Sequence, residues 1–417
     1  MAVAAGVVRR YYAYYVSNAY GFYLPVSVVY LTEYHGFGLR IVGIIKASFL
    51  IALTAAEIPT GYVGDRIGRR ATLALGNGLS ALGLIAYAVA DTPLEFVLLN
   101  VVWATGWGFR SGTANAWLYE LLATYDATEA FARISGRANT AVLLVSAASA
   151  LLAGFLATID WTIPFLANAA LAAAGIPVLL TLPETNGTAP GDEPSTDSDA
   201  PTANRFTIRD ATHLLLVQAR RPEIRWLVAY VGLFYVLFQA TRAFEQPAAV
   251  AVGMPIPALG VLYAAFKLVS AGAAATTGWV QDHLGTKGAL FAVAPVLGIA
   301  YASAAFVPIF IVPVLFLNRG LHRVVVPLRN QYLNDRLDDV GRATVLSGVS
   351  MVLSLAAGLN NVVAGQIAER VGPVAFLAGA GAVIAVLAGL LWVAVSPVRG
   401  QTDDDDAPGE SSDTPTD

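Results

Sequence analysis

The sequence predicts an all-α membrane protein in which twelve transmembrane helices form two pseudo-symmetric six-helix bundles. Three observations predict it. The 417-residue chain is 56% hydrophobic and only 13% charged, its apolar residues gather into twelve span-length stretches, and a glycine-rich charged decapeptide occurs twice. So few charges could not cover a soluble surface. A helix of roughly 20 apolar residues, by contrast, crosses about 30 Å of hydrocarbon with its backbone hydrogen bonds closed internally.

The twelve stretches centre near residues 21, 52, 81, 107, 148, 172, 236, 267, 298, 320, 355 and 385. The first, Tyr11 to Leu31, is span-length and lacks a small-residue cleavage pattern, so it reads as a retained span and not a signal peptide. With no cysteine in the chain, disulfides and thiolate metal sites are excluded, and no cofactor or metal is expected. Basic residues mark the cytoplasmic side of short loops. Placing both termini inside puts sixteen of the 25 Lys and Arg there and only Arg40 and Arg370 outside, with Lys46, Arg110, Arg242, Lys267, Arg319, Arg323 and Arg329 within spans. The expected location is the cell membrane, multi-pass, with both termini cytoplasmic.

Four segments follow. Residues 1–183 form an N-terminal six-helix bundle, and 184–222 a cytoplasmic linker whose Ile208 to Val217 stretch has the pattern of a surface-lying amphipathic helix. Residues 223–398 form the C-terminal bundle, and 399–417 an acidic solvated tail.

The repeat begins Gly61-Tyr62-Val63-Gly64-Asp65-Arg66-Ile67-Gly68-Arg69-Arg70 and returns, 217 positions on, as Gly278-Trp279-Val280-Gln281-Asp282-His283-Leu284-Gly285-Thr286-Lys287. Gly61 and Gly64 allow close helix approach, and Gly68 a tight reversal. Asp65 is placed to meet the exposed N–H groups at another helix's N-terminus. Twelve spans in two halves, this decapeptide after the second span, its echo after the eighth and a long central loop resemble the major facilitator superfamily of secondary transporters. A further echo agrees: Gly154-x-x-Ala157 with Phe165-Leu166-Ala167 matches Gly365-x-x-Ala368 with Phe376-Leu377-Ala378. The resemblance implies that Asp65 faces the start of the eleventh helix near Ala343 and Thr344, that Arg69 pairs with Glu120, that Asp282 faces the fifth helix near Gly136, and that Asp335 closes the tenth helix as Glu120 closes the fourth. Together with Arg70 and Gly285 these residues would form a cytoplasmic gate that breaks when the protein opens inward.

Charges at mid-membrane are costly and need a partner or an aqueous cavity. Glu57 and Arg110 sit at matching depths on the second and fourth spans, and would form an ion pair of either functional or structural meaning. Lys267 and Arg319 also match in depth, with no acid evident at their level. Arg319, His322 and Arg323 share a helical face. The resemblance places helices four, seven and ten around a central cavity, so Arg110, Arg319 and His322 are candidates for substrate binding and Lys267 for proton exchange. Arg242 could instead pair with Glu245, and Arg329 could snorkel to the interface. Tyr15, Asn18 and Phe22 form one face of the first helix, and Gln239 and Gln246 one face of the seventh; each either lines the cavity or packs on a neighbour.

No Walker-type loop, histidine metal cluster or nucleophile elbow occurs, so direct use of ATP and enzymatic readings fail. The expected function is secondary active transport by alternating access, proton- or sodium-coupled, exporting a small organic solute as a monomer in the lipid bilayer, with no nucleic-acid partner. The fifth span lacks the Gly-Pro-x-x-Gly-Gly signature of family drug exporters, reading Ala147 to Gly154 without proline. Export is therefore not established; uptake or exchange of an organic anion, suggested by the excess of bases in the second half, is the alternative, and a non-transporting membrane sensor or scaffold a third.

Overall fold

The computed structural model describes residues 5–185, 221–336 and 342–398. The amphipathic stretch 208–217, the acidic tail and the side chain of Asp65 lie outside the described residues, as do those of Ala343 and Thr344.

The regular structure of the described residues is all helical: α1 (Ala5–Val16), α2 (Leu39–Ile67), α3 (Arg69–Tyr87), α4 (Pro93–Arg110), α5 (Thr113–Thr124), α6 (Phe131–Ile159), α7 (Ile163–Leu180), α8 (Pro222–Ala251), α9 (Ile256–Phe306), α10 (Ile311–Asn334), α11 (Arg342–Val371) and α12 (Pro373–Val395), with short 3-10 and π pieces between. Among the described residues, eight helices are long and apolar enough to cross a membrane. Large apolar side chains stand exposed on them, among them Ile299 at 74%, Phe306 at 85% and Val393 at 89%. Such a surface suits lipid, not water. The capping box at the start of α4, where Thr92 and Glu95 satisfy each other's backbone N–H groups, fixes one exposed helix end.

Both copies of the decapeptide break the chain in the same way. Gly68, between α2 and α3, has φ 86 and ψ 157; Gly285, inside α9, has φ 63 and ψ 170. That region is open almost only to glycine, so the duplication read in the sequence is also a duplication of backbone geometry.

Helices α1 to α7 pack mainly on one another, as do α8 to α12; α2 against α11 and α6 against α9 join the two sets. Glycine sets how closely they join. At the end of the bundle away from Gly68 and Gly285, here called the far end, an added Cβ at Gly43 would lie 2.3 Å from the Asn361 carbonyl oxygen, and one at Gly365 2.7 Å from that of Leu39. On the other seam the Cβ of Gly154 would lie 2.6 Å from the Pro257 oxygen and that of Gly260 2.3 Å from the Ala150 oxygen. Toward the repeat end the same helices have room: Gly61, Gly136, Gly272 and Gly278 have nothing within 4 Å. The halves are therefore closely joined at the far end and more loosely toward the repeat end, where Ser347 Oγ still reaches Glu57 Oε1 at 3.4 Å. Gly61 makes no close approach, contrary to expectation, whereas Gly64 does meet Thr72.

Two spans expected to be continuous are broken. The first stops at Val16, and Ser17 to Tyr23 is non-helical before a 3-10 turn (Leu24–Val26) and a π turn (Tyr30–Tyr34). The fourth is interrupted at Ser111 and Gly112, with Gly112 at φ 78. Unwound backbone at membrane depth must find polar partners in the protein. Here the Tyr20 N–H donates to Ser146 Oγ at 3.4 Å, and the Ala19 carbonyl accepts from Asn168 Nδ2 at 3.2 Å.

Candidate functional site

The breaks in the first and fourth spans meet. Arg110 is the last residue of α4, where its charge faces the helix's free carbonyl end. Its Nη1 donates to Asn18 Oδ1 at 2.8 Å, and its guanidinium lies 5.5 Å from the Trp107 ring centroid. Asn18, Tyr20, Tyr23, Trp103, Trp107 and Arg110 line a cavity of about 10 Å³, room for about one water. Arg110 does not pair with Glu57. That carboxylate is exposed on α2 and accepts from Ser347 Oγ at 3.4 Å, because the break redirects the fourth span and the matched depths do not become a contact. The helical face proposed for Tyr15, Asn18 and Phe22 is likewise dissolved. Tyr15 donates to Asn139 Oδ1 at 3.2 Å, while Asn18 Nδ2 caps the last turn of α1 through the Tyr14 and Tyr15 carbonyls.

That cavity is lined by the first half alone, and charged residues of α8, α9 and α10 stand across the boundary between the halves. Lys267 Nζ donates to Tyr20 Oη at 2.7 Å and lies 4.0 Å from the same ring's centroid, joining the two halves at the break. Arg319, expected to lack an acid, is ion-paired with Glu245; its guanidinium sits 4.9 Å from the Phe266 ring centroid. Glu245 is 1% exposed and is the one buried acid among the described residues. Sequence reasoning assigned it to Arg242 because i, i+3 partners are visible in one helix and cross-helix partners are not. Arg242 is accessible although Thr241 and Ala243 beside it are buried, as a residue on the wall of an internal cleft should be. Tyr20 lies within electrostatic range of Lys267, Arg242 and Arg323, and Glu245 within that of Lys46. Lys46, Arg242 and Arg323 have no acidic partner among the described residues. Six bases thus stand along the boundary between the halves, and the one buried acid among the described residues is already paired.

Other candidates fall elsewhere. His322 packs edge-on to Phe238 at 5.0 Å between centroids. Gln239 is half-buried with no hydrogen bond among the described residues, whereas Gln246 on the same face is buried and fully bonded. Arg329 does not snorkel. It is 8% exposed and donates twice to Asn330 Oδ1.

At the repeat end, Arg69 Nε lies 3.1 Å from Glu120 Oε1, and Thr185 Oγ1 donates to Glu120 Oε2 at 2.6 Å. Arg70 is held by Glu184, which the sequence reading missed: Nε lies 3.0 Å from its Oε2, and the Arg70 N–H donates to its Oε1. All of these partners belong to the first half or to the start of the linker that follows it, and none to the second half. Asp282 and Asp335 are exposed and have no side-chain partner among the described residues, and Gly136 is open.

An all-helical protein with lipid-facing apolar surfaces, whose two halves meet along a boundary lined with buried charge, has the architecture of a transporter. The chain belongs to the Major Facilitator Superfamily, whose profile matches residues 12–358, and it is accordingly a membrane transporter and not an enzyme. No curated protein matches the sequence significantly. Among solved structures, a variant of the nucleoside transporter NupG superposes with a TM-score of 0.77 at 14% identity, covering 92% of this chain and 99% of that one. A bacterial homologue of the human lysosomal transporter Spinster, inward-facing and occupied, gives 0.69 at 14%, covering 97% of each. The D-xylose-proton symporter gives 0.64 at 14%, covering 91% and 96%.

Proposed function

We propose that the protein moves a small organic anion across the cell membrane by alternating access. It would use twelve crossings in two bundles, residues 1–183 and 223–398, with both termini and the repeat loops in the cytoplasm. In this count the first span comprises α1 and the short turns after it, the fourth comprises α4 and α5, α3 is the third, and α9 supplies two crossings, one on each side of Gly285. The arrangement described is then the inward-open one, with the far end extracellular. The observation that carries the anionic substrate is the charge between the halves, in which Lys46, Arg242 and Arg323 lack an ion-pair partner among the described residues, Arg110 and Lys267 both reach the broken first span, and Arg319 is the base paired with Glu245. A desolvated cationic site of this kind rejects cations and draws anions, so the cleft favours anion uptake or exchange over export of neutral or cationic compounds. The aromatic wall of Tyr20, Trp103 and Trp107 adds surface for a planar solute. In proteoliposomes loaded with unlabelled benzoate, labelled benzoate should enter by counterflow and neutral benzamide should not. Equal entry of both, or of neither, rejects the reading.

The repeat loop is proposed as the cytoplasmic latch of the outward-open state. Asp65 would cap the start of α11 when the halves close there, while the Arg69–Glu120 and Arg70–Glu184 pairs hold the loop in position. Asp65→Asn should shift the protein toward the inward-open form and cut flux by about tenfold, as loss of one charge-assisted contact of about 1.4 kcal/mol would. Unchanged flux together with unchanged cytoplasmic cysteine labelling would sink the latch.

A further inference from the structure

Glu245 and Gln246 are neighbours on α8, yet they serve different halves of the molecule. Gln246 spends its whole amide. Oε1 accepts from the Val28 and Val29 N–H groups at 2.8 and 3.2 Å, and Nε2 donates to the Leu24 carbonyl at 2.7 Å and to Tyr263 Oη at 2.8 Å. Three of these bonds cross to the broken first span at the far end and satisfy backbone groups that the break leaves open. Because the Val28 and Val29 N–H groups can only donate, the amide orientation is fixed. Tyr263 must then accept from Gln246 and pass its own hydrogen to Glu245 Oε1. That same oxygen is the one Arg319 holds. A one-way chain therefore runs from the far-end seal through Gln246 and Tyr263 to the carboxylate in the cleft.

Both ends of the ion pair are incompletely used. Glu245 Oε2 and Arg319 Nε are buried with no hydrogen-bond partner. The Nε–H of Arg319 is thus a donor without an acceptor, and a second oxyanion that reached it would satisfy it. Stripping Glu245 of its partner outright would cost several kcal/mol. Arg242, three residues earlier on α8, is the nearest position on that helix face and has no acidic partner among the described residues. Glu245 can therefore exchange one arginine for the other without leaving a bare charge.

We propose that Glu245 competes with the solute's anionic group for Arg319, and that its move to Arg242 withdraws the acceptor of Tyr263 and loosens the hold of Gln246 on the first span. This rests on the anionic-solute reading above, and adds to it the device by which occupancy of the cleft is reported to the far-end seal. The groups facing Glu245 are Arg319 from α10, Tyr263 and Tyr301 from α9, Lys46 from α2 and Arg242 from its own helix. Apart from Glu245 all are bases or phenols, so the solute is the only other anion the site would admit.

The chain has no native cysteine, so a single Ala157→Cys substitution at the buried far end of α6 reports the seal without further engineering. In that background benzoate should raise the maleimide labelling rate about tenfold, the change expected from about 1.4 kcal/mol of lost hydrogen bonding. Adding Tyr263→Phe should leave benzoate affinity within about threefold but abolish the rise in labelling, since only the relay hydroxyl is lost. Glu245→Gln, which removes the competing charge, should tighten benzoate binding about tenfold. A Tyr263→Phe protein whose labelling still rises with benzoate overturns the relay, and a folded Glu245→Gln protein that binds benzoate no more tightly overturns the competition. Should Glu245→Gln fail to insert, Tyr263→Phe decides alone. If the parent protein binds benzoate no better than benzamide, the anionic-solute reading fails, and this inference with it.

Discussion

Gly260→Ala should reduce solute flux by about 100-fold while the protein still inserts and folds. The new Cβ would sit 2.3 Å from the Ala150 carbonyl oxygen and 3.3 Å from that residue's carbonyl carbon. Both are backbone atoms, which cannot swing aside as the end of a flexible side chain can. Overpacking of this kind costs about 1–3 kcal/mol, and the upper value depletes the far-end-closed state by about two decades. The penalty falls only on the conformation in which α6 and α9 touch at that end, so the outward-open form should accumulate and far-end labelling at Ala157→Cys should rise without any solute. Gly272→Ala on the same helix is the control. Nothing lies within 4 Å of it, and its flux should match the parent. If Gly260→Ala transports normally, the α6–α9 contact is incidental and the glycine seam does not set the conformational balance.

Arg319→Gln should abolish benzoate counterflow and weaken benzoate binding by about 30-fold or more, since truncating one partner of a desolvated charge pair costs about 2–5 kcal/mol. It also leaves Glu245 buried without its base, so some loss of thermal stability is expected as well. Arg319→Lys separates the two effects. It keeps a charge beside Glu245 and so should restore stability, but it lacks the planar fork and should recover only part of the binding. Arg110→Gln should also abolish flux, through the first half of the cleft, without disturbing Glu245. Wild-type flux in both Arg110→Gln and Arg319→Gln would assign these arginines to structure alone.

Where the sequence was readable and where it was not follows from the range of the forces involved. The all-helical membrane architecture was legible because hydrocarbon imposes one length and one composition on every crossing, and eight described helices meet both. The repeat was legible because Gly68 and Gly285 need a backbone geometry that other residues avoid. The pairing of Arg69 with Glu120 followed from the family resemblance. The two breaks were missed, although their signals were local: Ser17-Asn18-Ala19-Tyr20-Gly21 and Ser111-Gly112 are turn-forming runs set inside windows whose average hydropathy hid them. Arg110 was consequently matched by depth to Glu57 along a helix that does not continue. Arg319 and Glu245 are 74 residues apart on different helices, and no periodicity within either helix points to the other. The same holds for Gln246, whose partners are backbone atoms freed only by a break the sequence reading did not place.

The central claim is that the cleft recognises negative charge, and binding of three isosteric solutes to the purified protein tests it most directly. Benzoate, benzamide and benzylamine share a ring and differ chiefly in charge. Isothermal titration should give benzoate an affinity at least about tenfold above either of the others, a difference of about 1.4 kcal/mol or more, and one that shrinks as salt screens the cleft. Equal affinities, or preference for the amine, would contradict the account.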